Sequence, residues 1–281
     1  MKLARSSFYY KPKSQSPDRK KLEADLRDRI ETICLGFPRY GYRRVTYQLK
    51  REGKRVNHKK VLRLMRESDL LCRVKRRRVK TTNSRHRFPR YPNLVKGMVI
   101  TRLNQVWLSD ITYIRIQTGF VYLAAILDAF SRRVIGYAVS GALDTTLTLQ
   151  ALRMAIAERK PGPGVIHHSD QGVQYASTEY IDELKSHGFL VSMARTGNPY
   201  ENAMMESFFK TLKHEEVNLC EYETFGDVLA RLPYFIEGVY NQKRLHSALG
   251  YRPPNEFEEA LLNRENNDIP RQTLLTLPVQ S

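Results

Sequence analysis

Cysteine and long apolar runs are scarce in this 281-residue chain. Its three cysteines, Cys34, Cys72 and Cys220, are widely spaced, and no CxxC pair occurs. This pattern argues against a disulfide framework and a cysteine-bound zinc site, and it fits a reducing cytoplasm. The longest apolar run, 120–130, is interrupted by Asp128 and is shorter than the ~18–20 residues that cross a bilayer. The first residues also lack the apolar stretch of a signal peptide, so we expect a cytoplasmic protein without a membrane partner.

Acidic residues are scarce in the first hundred positions. Residues 1–100 hold 30 Lys and Arg against 8 Asp and Glu, a net charge of +22, whereas residues 101–281 hold 17 against 21, a net charge of −4. The two sums give the formal charge of +18. A basic segment joined to a mildly acidic one favours a part that grips DNA followed by a part that holds metal ions.

The N-terminal region, 1–72, has the pattern of a small all-α domain. Apolar spacing predicts helices over 18–36 and 42–52, and a third helix that follows Asn57 as its N-cap. Two short helices divided by a tight turn at Gly53 match a helix-turn-helix in size. Many small helical bundles share this pattern, so both interpretations stay open.

Residues 73–100 begin with a strongly basic stretch. Six of the nine residues over 72–80 are Lys or Arg, among them Arg76, Arg77 and Arg78. Such a run is usually a solvated or disordered segment, or a localisation patch. Between two domains of a basic chain we favour a linker that follows a DNA backbone and neutralises its phosphates.

From 101 to 265 the pattern is that of an α/β domain, followed by a tail at 266–281. Three segments rich in β-branched and aromatic residues, 106–116, 120–129 and 133–139, predict antiparallel strands. A helix, a strand, a second helix, a strand and a third helix then follow at 145–158, 165–169, 177–188, 189–194 and 201–217. This order describes a ribonuclease-H-like fold.

Three carboxylates occupy separate elements of this predicted domain. Asp110 interrupts a mainly apolar strand face, Asp170 follows a strand end, and Glu206 lies on the last helix. Each has an ordinary explanation: an arginine partner or a protonated form for Asp110, a turn cap for Asp170, and an ion pair with a lysine for Glu206. Together, hard oxygen donors from three elements can hold two divalent ions for phosphodiester chemistry.

The helix predicted over 201–217 separates apolar from polar residues. Its buried face is predicted to consist of Met204, Phe208 and Leu212. Its opposite face is predicted to carry Asn202, Glu206, Lys210 and Lys213. This face could present a metal ligand and phosphate contacts together.

Five blocks of sequence, in order, resemble the catalytic core of insertion-sequence transposases of the retroviral-integrase type. They are 107–113, 128–132, 168–175, 197–210 and 240–251. Second-reading-frame products of this family carry two aspartates and a glutamate, the DDE triad, on a ribonuclease-H-like fold. The 35 residues between Asp170 and Glu206 match the family's spacing. Residues 40–95 resemble, less sharply, the helix-turn-helix segment that precedes this core.

The resemblance implies a site and a reaction. Asp110, Asp170 and Glu206 would be the catalytic ligands of two Mg²⁺ ions, with Mn²⁺ as a substitute. Lys213, together with Lys210, would contact DNA. Cleavage at the element's end would release a 3′-hydroxyl, which would then attack a phosphodiester of target DNA without a covalent protein intermediate.

Other residues of these blocks are less clearly assigned. Asp128 is interpreted as a structural brace of the hairpin corner. His168 is either a residue at the edge of the site, positioning Asp170 or DNA, or a satisfied buried histidine. The block at 240–251 resembles the family strongly, and the cautious interpretation is that its apolar residues pack beneath the helix of Glu206.

The resemblance also implies partners and a location. The partners would be element-end and target DNA, further copies of the chain in a synaptic complex, and an upstream reading-frame product, since no heptad zipper precedes this core. The protein would be bacterial, cytoplasmic and nucleoid-associated. A nuclease of the same fold that cuts without joining is one competing interpretation. A non-catalytic DNA-binding regulator or decayed element product is another, although the presence of all three carboxylates argues against decay.

Overall fold

The computed structural model describes residues 17–72, 89–194, 202–265 and 275–276. The chain divides into two compact units, Met1–Arg76 and Arg77–Ser281. The basic residues Arg76, Arg77 and Arg78 lie outside the described residues, and so does most of the predicted tail. No helix within the described ranges is both long and apolar enough to cross a bilayer.

In the part of the first unit that the structure describes, the helices are α1 at Pro17–Gly36, α2 at Tyr42–Arg51 and α3 at His58–Glu67. Apolar residues from all three make its core, namely Ile30, Ile33, Val45, Leu49, Val61, Leu64 and Met65. Asn57 caps α3, because its side-chain oxygen accepts a hydrogen bond from the backbone N–H of Lys59 at 2.8 Å. The three predicted helices and the predicted cap are therefore confirmed.

The second unit is built on a five-stranded mixed sheet. After a short strand β1 at Val99–Ile100 come β2 at Val106–Ile116, β3 at Gly119–Asp128, β4 at Val134–Ser140, β5 at Ile166–Ser169 and β6 at Leu190–Met193. The order in the sheet is β4-β3-β2-β5-β6. Strands β2 to β4 form an antiparallel meander, whereas β5 pairs in parallel with both β2 and β6. Strand β1 pairs separately with β7 at Leu275–Thr276.

Helices cover both faces of this sheet. They are α4 at Thr145–Arg159, α5 at Val173–Ala176, α6 at Thr178–Ser186, α7 at Ala203–Leu212, α8 at Phe225–Tyr234 and α9 at Pro254–Glu265. Alternation along β2 divides its side chains between two cores: Leu108 and Ile114 join residues of α7 and α8, whereas Trp107 joins residues of α4 and α6. The strand order and the two helical layers confirm the ribonuclease-H-like fold.

The helix predicted over 201–217 changes geometry within its length. The α-helix ends at Leu212, and Lys213–Val217 continues as a π-helix. A second π-helix, Phe235–Asn241, follows α8. The prediction of one continuous α-helix is wrong beyond Leu212, because the apolar period over a single turn does not separate i→i+5 from i→i+4 bonding. Asn202, predicted on the exposed face, is buried, because α7 begins only after it.

The last residues of the predicted linker pack on the sheet. The backbone N–H of Leu94 donates to Oγ of Ser192 at 2.9 Å, and the N–H of Met193 donates to the carbonyl of Pro92 at 3.3 Å. Val95 is buried in the core. This segment therefore covers the edge of β6.

Gly136 lies where β4 meets α4. A Cβ atom at this position would lie 2.3 Å from the carbonyl oxygen of Ala151 and 2.7 Å from the Cβ of Ala155. We expect Gly136→Ala to lower the free energy of unfolding by about 1–3 kcal/mol, because the helix or the strand must shift. Urea denaturation measures the loss. Gly141→Ala is the matched control, since a Cβ there meets nothing within 4 Å; equal stability of the two variants would contradict the close approach.

Candidate active site

Parallel pairing of β2 with β5 places the two aspartates. Leu108 is paired with His168, and Asp110 and Asp170 each lie two residues further along. Residues two apart on a strand point to the same face, and paired strands lie about 4.8 Å apart. Asp110 and Asp170 therefore occupy neighbouring positions at one edge of the sheet.

Glu206 reaches the same neighbourhood from α7. Met205 and Phe208 are buried in the core that also contains Leu108, which holds α7 against the face of β2 that carries Asp110. Glu206 lies in the first turn of α7 and is exposed. A negative charge in a first turn is favoured by the helix dipole.

The pKa of Asp110 is affected by the charges of the other two carboxylates. The side chain of Asp110 is half-buried, but its carboxyl group is surrounded by protein. This burial raises the pKa of the carboxyl group to about 8. The charges of Asp170 and Glu206 raise this pKa as well, whereas the backbone N–H of Ile111 and the charge of Lys213 lower it. Asp110 is thus a desolvated carboxyl group among like charges, an arrangement that a divalent cation would relieve.

Asp170 also serves the turn that follows it. Its Oδ1 accepts a hydrogen bond from the backbone N–H of Gly172 at 2.9 Å. A Cβ at Gly172 would lie 2.9 Å from the same oxygen, so the glycine permits the close approach. The capping interpretation of Asp170 is therefore correct, and it is compatible with metal binding because a carboxylate offers about four lone-pair sites.

The donor set suits Mg²⁺ or Mn²⁺ in kind, because all three groups are hard carboxylate oxygens. Across the ranges that the structure describes, however, no three His, Cys, Asp or Glu side chains are gathered closely enough to hold an ion. The three carboxylates share an electrostatic neighbourhood without forming a closed ligand shell. A divalent ion bound there would have to draw the three carboxylates closer together.

Lys213 is closely tied to this site. Its Nζ lies 4.4 Å from the centre of the Tyr113 ring, a cation–π contact, and burial lowers its pKa while the charge of Asp110 raises it. Lys210 is exposed, and in the described part of the chain it forms no ion pair with Glu206. Tyr113 lies three residues after Asp110 in the first block. Its contact with Lys213 could not be predicted from the sequence, because that contact depends on tertiary folding.

His168 lies in the core rather than at the surface. It is fully buried, and its Nδ1 is 2.8 Å from Oγ of Ser192. The neighbouring His167 is 2.9 Å from the hydroxyl of Tyr180, and burial lowers its pKa to about 3, so this ring is neutral. Both histidines therefore hold β5 against its neighbours just before Asp170.

Asp128 is a structural residue, as predicted. It is fully buried; its Oδ1 accepts from the backbone N–H groups of Phe130 and Ser131 at 2.9 and 3.2 Å, and its Oδ2 accepts from that of Asn104 at 2.8 Å. Burial raises its pKa, which the backbone N–H groups of Asn104 and Ser131 oppose. The carboxylate thus closes the corner between β3 and β4.

The block at 240–251 packs beneath α7, as predicted. The ring of Tyr240 meets that of Phe208 edge to face, with centroids 4.9 Å apart. Leu249 belongs to the same buried cluster. This block therefore supports the helix that carries Glu206.

A ribonuclease-H-like sheet with carboxylates from β2, the end of β5 and a following helix defines a polynucleotidyl transferase of the integrase-core class. Two models described as "Integrase core domain" match residues 101–199 and 187–254, and one described as "HTH-like domain" matches residues 21–78.

Proteins of bacterial insertion elements are similar to most of this chain. The transposase for insertion sequence element IS904 of Lactococcus lactis is 40% identical over 246 residues, which cover 86% of this chain and 97% of that protein. An IS600 protein of Shigella sonnei is 36% identical, covering 92% and 95%, and the IS629 transposase of Shigella sonnei is 35% identical, covering 95% and 91%. The chain belongs to the family of insertion-sequence transposases with an integrase core domain.

Proposed function

We propose that this transposase cleaves the ends of its element and joins them to target DNA, with Asp110, Asp170 and Glu206 as the ligands of two Mg²⁺ ions. The observation that carries the proposal is the desolvated Asp110, whose ionisation is disfavoured by the charges of Asp170 and Glu206. Divalent ions bound there would lower the pKa of the attacking water and neutralise charge that develops on the phosphate. Mn²⁺ would substitute for Mg²⁺ with the same oxygen ligands.

The residues around the carboxylates would hold the DNA. Lys213, fixed over Tyr113 near Asp110, would contact a phosphate close to the scissile bond, and the exposed Lys210 would contact the backbone one turn away along α7. Water would add to the phosphodiester at the element's end and release a 3′-hydroxyl. That hydroxyl would attack a target phosphate and displace the target's own 3′-oxygen, so no bond to the protein forms.

The remaining parts of the proposal concern organisation. Residues 1–72 would bind DNA as the helix-turn-helix-like unit, residues 73–100 would connect it to the core over 101–265, and 266–281 would be a tail. Two element ends must be held together for joining, so a homo-oligomer is expected, and an upstream reading-frame product would supply further end recognition. The protein would act in the bacterial cytoplasm at the nucleoid.

Incubation with labelled element-end duplex tests the proposal. The purified chain, alone and fused to its upstream product, is given Mg²⁺ or Mn²⁺, with Glu206→Gln as control. Metal-dependent nicking and joined products that the control loses are expected. Nicking without joining would favour a nuclease of the same fold, and DNA binding without cleavage in both formats would favour a regulator or decayed product.

Gly172 offers a test of the Asp170 assignment. Gly172→Ala places a methyl group 2.9 Å from Oδ1 of Asp170, at a backbone conformation that alanine adopts without strain. We expect cleavage or apparent Mg²⁺ affinity to fall by roughly 10–100-fold, as for groups that orient metal ligands. Gly162→Ala, with nothing within 4 Å of the new Cβ, is the matched control. Unchanged cleavage by the Gly172 variant would count against Asp170 as a ligand.

The basic stretch after residue 72 offers a second test. Replacing Arg76, Arg77 and Arg78 together by glutamine is expected to weaken binding to all duplexes and to lower the salt slope by roughly 2–3, since each phosphate contact contributes about 0.9. Fluorescence anisotropy at several salt concentrations measures both quantities. An unchanged slope would mean that the stretch is a solvated linker.

A further inference from the structure

Arg244 is a buried charged residue in the block at 240–251 and is only 4% exposed. Its Nε and Nη2 each donate to one oxygen of Glu215, both at 2.7 Å, and Nη2 also donates to Oγ1 of Thr211 at 3.3 Å. A bidentate pair of this kind fixes direction as well as distance. The guanidinium group therefore binds one face of the segment that spans the end of α7 and the π-helix after it.

The two residues that Arg244 holds flank Lys213, two positions before it and two after it. Residues four apart share a helix face, whereas the residue midway between them points away from that face. Bonds to Thr211 and Glu215 therefore fix the rotation of the segment and leave Lys213 directed elsewhere. Its Nζ is directed to the ring of Tyr113, and its charge acts on Asp110.

The bonds from Arg244 to Thr211 and Glu215 lie where α7 becomes a π-helix, which begins at Lys213. Isolated π-helical turns are rare and are found mostly at functional sites. The block that supplies Arg244 is itself anchored: Asn241 accepts from the N–H of Val134 at 3.0 Å and donates to its carbonyl at 2.9 Å. The π-helical turn is therefore held by a block that is itself hydrogen-bonded to β4.

We propose that Arg244 is a positioning residue, which acts through Thr211 and Glu215 to keep Lys213 beside Asp110 and in reach of a DNA phosphate. This inference rests on the proposed function, in which Lys213 contacts DNA. Arg244 is too deeply buried to contact a phosphate itself. Its effect on DNA must therefore pass through Lys213.

A double-mutant cycle tests this inference. Binding of element-end duplex to the full chain, without divalent metal, is measured over a range of salt for the wild type, Lys213→Ala, Arg244→Lys and the double variant. Arg244→Lys keeps the positive charge but loses the pair of parallel hydrogen bonds that the guanidinium group makes to Glu215. It is expected to bind about 3- to 10-fold more weakly, as contacting residues couple, with a salt slope smaller by roughly 1. The double variant is expected to bind no more weakly than Lys213→Ala.

Two further variants separate positioning from general stability. Glu215→Gln keeps the side-chain shape and is expected to reproduce the loss even if Arg244→Lys does not fold. Arg159→Lys is the matched control, because Arg159 forms a similarly buried ion pair with Glu258. The side chains of Arg159 and Glu258 are 10% and 7% exposed. Those of Arg244 and Glu215 are 5% and 13% exposed. The control is expected to lower the melting temperature and leave the salt slope unchanged.

The outcomes distinguish this inference from the proposed function. Additive weakening in the double variant, or an unchanged slope for both Arg244→Lys and Glu215→Gln, would overturn the positioning role even if the wild type cleaves DNA. Coupled binding together with a wild type that never cleaves would support the positioning role and overturn the proposed reaction instead.

Discussion

Asp110→Asn is expected to abolish metal-dependent cleavage and, at the same time, to stabilise the metal-free protein. A metal contributes several kcal/mol of charge stabilisation in the transition state. Since about 1.4 kcal/mol is tenfold in rate, loss of a ligand should lower cleavage by roughly 10³-fold or more. The amide has the size of the carboxylate, so binding of DNA should change little.

The gain in stability follows from the same desolvation. The carboxyl group of Asp110 has an ordinary pKa of 3.8 and one of about 8 in the folded protein. Between these values the folded state binds more protons than the unfolded state, so the wild type loses stability as the pH rises from about 4 to 8. The asparagine variant lacks this loss. At pH 8 its melting temperature should exceed that of the wild type by several degrees, at about 2–4 °C per kcal/mol for a domain of this size.

Thermal unfolding with and without Mg²⁺ checks both halves of this prediction. Mg²⁺ should raise the melting temperature of the wild type, because a ligand that binds only the folded state stabilises it, and it should raise that of the variant much less. Asp170→Asn and Glu206→Gln should lose cleavage in the same way. A variant that cleaves at nearly the wild-type rate would remove its residue from the ligand set.

Asp128→Asn, the same substitution on the neighbouring strand, is expected to act in the opposite direction on stability. Both oxygens of Asp128 accept backbone N–H groups in a fully buried setting. An amide offers only one acceptor and turns an NH₂ group toward a buried donor. We expect a loss of about 1–3 kcal/mol, the range for leaving a buried hydrogen-bond donor without its partner.

Chemical denaturation at pH 7 measures this loss. The reaction itself should remain: the fraction of Asp128→Asn that is folded should still cleave in the presence of Mg²⁺, because Asp128 has no place in the proposed ligand set. Wild-type stability would contradict the structural role of Asp128. A stable variant that fails to cleave would place Asp128 in the chemistry.

The sequence predicted those features that depend on local pattern. Alternation along 106–116 identified β2, the cap residue Asn57 located the start of α3, and β pairing then brought Asp110 next to Asp170 as the fold required. The helix-turn-helix-like unit was predictable for the same reason. Helices α2 and α3 carry strong apolar stripes, and all three helices end at glycine or polar turns.

Features that depend on distant contacts were not predictable. The contact of Lys213 with the ring of Tyr113 joins two residues 100 positions apart, and no local pattern predicts it. The partner of Arg244 is Glu215, 29 residues earlier, and nothing in the local sequence marks the pair. Asn202 was misplaced because the helix begins at Ala203, two residues later than predicted, so that Asn202 lies before the helix rather than on its exposed face.

The contacts that fasten β4 also govern when the enzyme can become active. Asn241 bonds Val134 across 107 residues, and Glu258 pairs with Arg133 across 125. Contacts of such separation form late, because the loop must close before they contribute any free energy. While the chain is being synthesised, β2 can pair with β3, and β3 with β4, long before β5 and α7 exist, so Asp110 is at first without Asp170 and Glu206. In the proposed reaction, catalytic competence is therefore delayed by topology until nearly the whole second unit has emerged.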